Sequence, residues 1–239
     1  MSLIGLWTRR CRGEVLSILA AMAAVEAALF AWALHRTERL ANLEQTLLDS
    51  HIDLAAIAAF TALTAILTFS GKDRGAKSSY TLHRLAMTGR QAFLCRAAHN
   101  TMCFFILWGA QLALVLCLCF AWRWLLPGVW ERQTLLLAFY RVPFLHGLLP
   151  LGDWYVYPRN ILWCMAFGFM TAREKEPAYR WVPFAVATGI YFPRKMGADI
   201  GWAVFIIGVS VFAIVASVWT NDKNGGVPEK EASGDGAEA

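Results

Sequence analysis

The feature that most constrains this chain is the run Ile200–Trp219, which contains no Asp, Glu, Lys or Arg. Roughly 20 apolar residues in a helix cross the hydrocarbon core of a bilayer. Comparable runs lie at 15–34, 52–70 and 101–126, with less regular ones at 134–151, 155–172 and 181–192. Of the 239 residues, 58% are hydrophobic and 16% charged, and mean hydropathy is +0.46. Soluble domains sit near 45–50% apolar and about 25% charged. A soluble globular domain, a fibrous repeat and a disordered chain are therefore excluded. The expectation is an all-α polytopic membrane bundle of about five to seven spans, with no room for a sizeable soluble domain.

The first run follows Arg9, Arg10 and Arg12 and holds Glu26 at its centre. A signal peptide begins similarly, but this run is long, carries that acid and has no small-residue cleavage site before His35. It reads as a retained span. The 101–126 run carries Trp108, Trp122 and Trp124, which read as interfacial anchors. The 134–151 segment is apolar yet holds Arg141, Pro143, His146 and Pro150, so it reads as interfacial, re-entrant or a broken span. Arg159 and Asn160 read as caps of the helix that follows.

Loop charge sets the orientation. Residues 1–12 have three Arg and no acid; residues 71–97 have Lys72, Arg74, Lys77, Arg84, Arg90 and Arg96 against Asp73; the intervening loop is mildly acidic. Basic loops stay in the cytoplasm. If 134–151 does not cross, six crossings of the cell membrane follow with both termini inside, although Arg194 and Lys195 then fall outside, against the rule. Residues 1–220 form the membrane domain, with a cytoplasmic segment at 71–97. The tail 221–239, rich in Gly, Glu, Lys and Ser, is expected to be disordered. The net charge of +5 is explained by cytoplasmic loops, so no nucleic-acid partner is implied. The six cysteines show no C-x-x-C or Cys/His spacing, so neither a disulfide framework nor a metal site is supported.

Residues 78–100 form the most informative loop. Tyr80 to Leu85 reads as a short helix with Leu82 and Leu85 on one side. Thr88 suits the cap of a second helix beginning at Gly89-Arg90, and Phe93, Leu94 and Ala97 carry that helix into the third span. The stretch Leu82-His-Arg-Leu-Ala-Met-Thr-Gly-Arg-Gln-Ala-Phe resembles the coupling-helix element of permease subunits of type-2 ATP-binding-cassette exporters, which lies between their second and third spans. The topology of residues 1–220 is similar too, and 190–199 resembles a short version of that family's re-entrant hairpin. Ala86-Met87 departs from the family's proline-containing corner, and the 127–155 connection is unusually long.

The resemblance implies an ATP-binding-cassette ATPase subunit as partner, a second permease copy or a sister permease beside it, and ATP and Mg²⁺ bound on the partner rather than on this chain. It implies coupling to the ATPase through Tyr80, Leu82, Arg84, Leu85, Thr88, Arg90 and Phe93. Ser70-Gly71-Lys72-Asp73 lacks the spacing and hydroxyl of a phosphate-binding loop, and neither G-x-S-x-G nor H-E-x-x-H occurs. The chain is therefore not read as an enzyme. His83, His99 and His146 stand scattered, without an adjacent nucleophile.

Candidates for a substrate path are Glu26, Gln111, Arg141 and His146. Ionisable groups at membrane depth are costly and usually face the bundle interior or water. Each has a plainer alternative: packing pairs for Glu26 and Gln111, and snorkelling to the headgroups for Arg141 and His146. Ala20, Ala21, Ala23, Ala24, Ala27 and Ala28 give the first span a small-residue surface for close helix contact. The alternative reading of the whole chain is a non-transporting membrane assembly, sensor or immunity-type protein.

Overall fold

A computed structural model of the chain describes residues 3–36, 42–70, 88–125, 134–173 and 200–225. Among them the structure is helical, with no strand. Proline-free apolar stretches give the long helices α1 (Leu3–Arg36), α3 (Ile52–Ser70), α4 (Gly89–Leu125) and α8 (Ile200–Gly225). The short α2 (Leu43–Asp49) meets α3 at a 49° bend. There His51 takes a left-handed φ of 51°, a conformation that ends a helix and disfavours its continuation.

The 134–151 segment resolves into α5 (Thr134–Arg141) and α6 (Pro143–Leu148). Pro143 opens α6, where its missing N–H costs nothing. At 1.5 Å per residue these helices measure about 12 and 9 Å, so neither crosses about 30 Å of hydrocarbon. α7 (Val156–Thr171) follows, with 16 residues. Arg12–Arg36, Gly89–Leu125 and Ile200–Trp219 are each long and apolar enough to cross a membrane, and α2 with α3 make a fourth if the bent pair is one span.

Three apolar clusters order the bundle. At the end where α4 begins, Phe93 and Ala97 pack with Ala172, and Val218 joins them. The middle holds Met22, Leu63, Phe104, Phe167 and Ile206, among others. At the far end Phe30, Trp122, Phe139 and Leu145 pack with Leu43 and Leu47. α1 and α4 therefore run parallel, α3 and α7 run against them, and α8 runs alongside α7 in the same direction.

The outer surface is apolar: Leu16 and Val25 on α1, Ile106 and Phe120 on α4, and Phe205 and Phe212 on α8 are all exposed. Patches of this size suit lipid rather than water. Trp32, Trp124, Tyr140 and Trp154 stand exposed around the far end, the arrangement of an interfacial belt. The expectation for Trp108 and Trp122 needs correction. Trp122 is fully buried, and Trp108 is half-buried, with its indole nitrogen inside and its ring on a cavity wall. The apolar run suggested a helix starting near Thr101, but α4 starts at Gly89, which places Trp108 at mid-helix.

Polar groups of the spans are mostly satisfied at home. Thr61, Thr64 and Thr68 donate to carbonyls one turn back at 2.8, 2.8 and 2.6 Å, as Ser210 and Ser217 do at 2.8 and 2.7 Å. α4 and α7 cross where Gly168 lies against Thr101: a methyl added at Gly168 would sit 2.7 Å from the Thr101 nitrogen and 2.8 Å from its Cα. One turn away, Asn100 Nδ2 donates to Thr171 Oγ1 at 3.0 Å.

Candidate functional site

The inward stripe of α1 is Met22, Glu26, Phe30 and Ala33, all at most 5% exposed. Their spacing of three and four residues is one face of a helix. Glu26 is thus the one ionisable group on that stripe, and it is fully buried. On α4 the inward stripe runs Phe104, Leu107, Gln111, Val115 and Trp122. Because α1 and α4 are parallel neighbours, the two stripes face each other, and the Glu26 carboxyl meets the Gln111 side chain. Neither forms a hydrogen bond of acceptable geometry. Both Glu26 oxygens, Gln111 Oε1 and Nε2, and the Trp108 indole nitrogen are buried without a partner.

A cavity of about 60 Å³ adjoins Gln111; Glu26, on the other side of that contact, does not line it. Five helices supply its walls: Met22 from α1, Ile57 and Phe60 from α3, Phe104, Trp108 and Gln111 from α4, Phe144 and Leu148 from α6, and Trp163 and Cys164 from α7. The lining is aromatic and aliphatic, with the Gln111 amide and the Trp108 indole as its polar points. Water needs about 10–15 Å³ of such space per molecule, so the cavity has room for roughly four. At the far end α6 contributes Phe144 and Leu148 to the wall.

The other expected path residues lie apart from this cavity. His146 sits between Phe144 and Leu148 on α6 but takes Asp153, Nε2 to Oδ2, at 2.9 Å. Arg141 is exposed and faces Glu44 across 3.6 Å. Arg159 and Asn160 are not caps: both are wholly buried within the first turns of α7. The Asn160 amide donates to the Gly147 carbonyl at 2.8 Å, and Arg159 donates to Asn160 Oδ1 at 3.3 Å. Sequence suggested caps because both precede an apolar run; the helix starts earlier, at Val156.

Of the coupling residues, Tyr80, Leu82, Arg84 and Leu85 lie outside the described residues, as do the 181–192 run, the 190–199 segment and tail residues 226–239. Thr88 caps α4 as expected, and reciprocally: Gln91 N donates to Thr88 Oγ1 at 3.3 Å and Thr88 N to Gln91 Oε1 at 3.2 Å, a capping box. Thr88 and Arg90 are exposed. Phe93 points inward, packing edge-on against Phe169 with ring centres 5.9 Å apart. No family model, no curated protein and no solved structure matches the chain.

The sequence flagged Glu26 and Gln111 singly. It gave no sign that they meet, nor that Phe60, Phe104, Trp108, Phe144 and Trp163 share one cavity, because aromatic residues are common throughout such spans.

Proposed function

We propose that the chain is the membrane-spanning permease subunit of an ATP-driven exporter, with a separate ATP-binding-cassette ATPase carrying ATP and Mg²⁺. The observation that supports a transport role is the buried Glu26–Gln111 pair, with no hydrogen-bond partner outside the pair and with Gln111 on the wall of a cavity. A group that costs roughly 3 kcal/mol at membrane depth needs a use to offset it. A fixed packing role would satisfy its hydrogen bonds, as the Thr hydroxyls of α3 do.

This reading keeps the six crossings expected from the sequence. Three of the described helices are long and apolar enough to cross, or four with the bent α2–α3 pair. With the basic 71–97 loop in the cytoplasm, the Thr88 end faces inward, both termini lie inside and the bundle spans the cell membrane. α4 is about 55 Å long against about 30 Å of hydrocarbon. Its capped start, with exposed Thr88 and Arg90, then stands clear of the bilayer as a rigid lever against an ATPase. ATP-driven closure of two ATPases shifts the two permease halves between inward-open and outward-open states.

The small size of the cavity favours the second reading, a non-transporting membrane assembly, sensor or immunity-type protein. Co-purification separates the two. The chain, extracted in mild detergent, is expected to bring down an ATP-binding-cassette ATPase whose activity it stimulates. Arg84→Glu with Arg90→Glu is expected to abolish that stimulation. Absence of any ATPase partner, or full stimulation by the double variant, would remove the exporter reading.

A further inference from the structure

We infer that the cavity beside Glu26 and Gln111 is a binding site for a small organic cation, an alkylammonium head group. The inference rests on the reading of this cavity as the substrate site and names the chemistry of its ligand. Three observations converge. Gln111 brings a buried amide oxygen to the cavity wall, and the buried Glu26 carboxyl behind it meets the same side chain, with no other hydrogen-bond partner at either residue. Much of the wall is aromatic: Phe60, Phe104, Trp108, Phe144 and Trp163 all line the cavity. No Lys or Arg is among the residues that line it, so nothing in the wall competes for the carboxylate.

Each feature selects against other ligands. Aromatic faces are electron-rich and attract cations within about 6 Å of the ring centre, more strongly when desolvated. An anion meets a carboxylate and ring faces, both repulsive. An inorganic cation needs several oxygens, typically six to eight for Ca²⁺ and six for Mg²⁺, and no group of three or more His, Cys, Asp or Glu residues able to hold a metal exists among the described residues. A methylated or alkyl ammonium needs no full oxygen shell. Its carbons fill the apolar wall while its charge is met by the rings and the Gln111 oxygen, and the Glu26 carboxyl, which meets Gln111 but does not line the cavity, adds a longer-range attraction. In low dielectric that charge acts across the intervening amide. The cavity volume fits a head group of a few heavy atoms rather than a drug-sized molecule.

The experiment measures radiolabelled tetramethylammonium binding to the full chain purified into phosphatidylcholine nanodiscs, without an ATPase. Saturable binding near one per chain is expected, with no competition from tert-butanol, its neutral counterpart of similar shape, or from equimolar sodium. Glu26→Gln is expected to weaken binding at least tenfold while the melting profile stays cooperative. Trp108→Leu removes a ring and no charge, and is expected to weaken it several-fold. If Glu26→Gln yields no folded protein, Trp108→Leu alone decides. No saturable binding, equal displacement by sodium, or unchanged binding in the folded variants would overturn the inference. Binding that follows these expectations without any ATPase partner would keep this inference and remove the exporter reading alone.

Discussion

α4 places two side-chain amides inside the bundle, and they have opposite fates. Asn100, near the Thr88 end, gives its Nδ2 to Thr171 at 3.0 Å, and Thr171 passes its own proton to the Phe167 carbonyl at 2.7 Å. Gln111, further along the same helix, meets Glu26 and leaves both its polar atoms unpartnered. The backbones differ in the same sense. At Asn100 the helices are drawn together by Gly168 against Thr101. At Gln111 five helices stand apart around a cavity. A satisfied amide at a close crossing fixes the bundle; an unsatisfied one beside a space is available to something else.

Filling the close crossing is the strongest way to break the first half of that comparison. Gly168→Ala puts a methyl against Thr101 backbone atoms, which cannot swing away as a side chain does. α4 and α7 must separate, at a cost of about 2–3 kcal/mol. Thermal unfolding in detergent is expected to show a clear loss of melting temperature. A variant as stable as the parent would mean the helices do not approach this closely.

The second half is tested by making the bundle better. Glu26→Leu removes two unpartnered carboxylate oxygens and keeps an apolar shape on the α1 stripe of Met22, Phe30 and Ala33. Replacing a buried polar group that lacks partners with a hydrophobic one often stabilises. The same melt is expected to rise by about 1–2 kcal/mol equivalent, with loss of tetramethylammonium binding. A fall in stability would make Glu26 a structural residue. Stability gained at the expense of binding is the usual relation at functional sites.

How much of this was readable from sequence follows from reach. Helical class and the bounds of α3 and of the start of α8 were legible, because apolar runs and their period are local. Thr88 was legible as a cap, since its partner Gln91 is three residues on. Glu26 and Gln111 stood out because each interrupts an apolar run. That they face each other was not legible: it depends on α1 and α4 running parallel at a common level, a property of packing. Trp108 was misplaced for a related reason. Hydropathy marks where lipid begins and not where a helix begins, and α4 starts well before its apolar part. Gly168 carried no signal, since its need for a bare Cα comes from Thr101 on another helix.

The paired amides sharpen the comparison directly. Asn100→Leu strips Thr171 of its interhelical donor, and such bonds in membranes average about 0.6 kcal/mol with a ceiling near 1.7. A cost of about 1 kcal/mol is expected. Gln111→Leu removes only its poorly aligned contact with Glu26 and is expected to cost less than Asn100→Leu. Equal costs for the two substitutions would erase the distinction between a fastening amide and an available one.

The smallest effect is expected at Arg141, and its smallness is informative. Arg141 has the charge of a path residue, but its side chain is 63% exposed and faces Glu44 across 3.6 Å. An ion pair this open is worth about 0–1 kcal/mol and is screened further by salt. Arg141→Ala is therefore expected to shift stability by less than about 0.5 kcal/mol and to leave tetramethylammonium binding within twofold of the parent. No residue of α5 lines the cavity, whose wall on this side is Phe144 and Leu148 of α6, so the exposed Arg141 charge is not part of it. A large loss of binding on Arg141→Ala would mean that the route to the cavity passes between α2 and α5. It would then be the Glu44–Arg141 pair, and not the Glu26–Gln111 pair, that sets what enters.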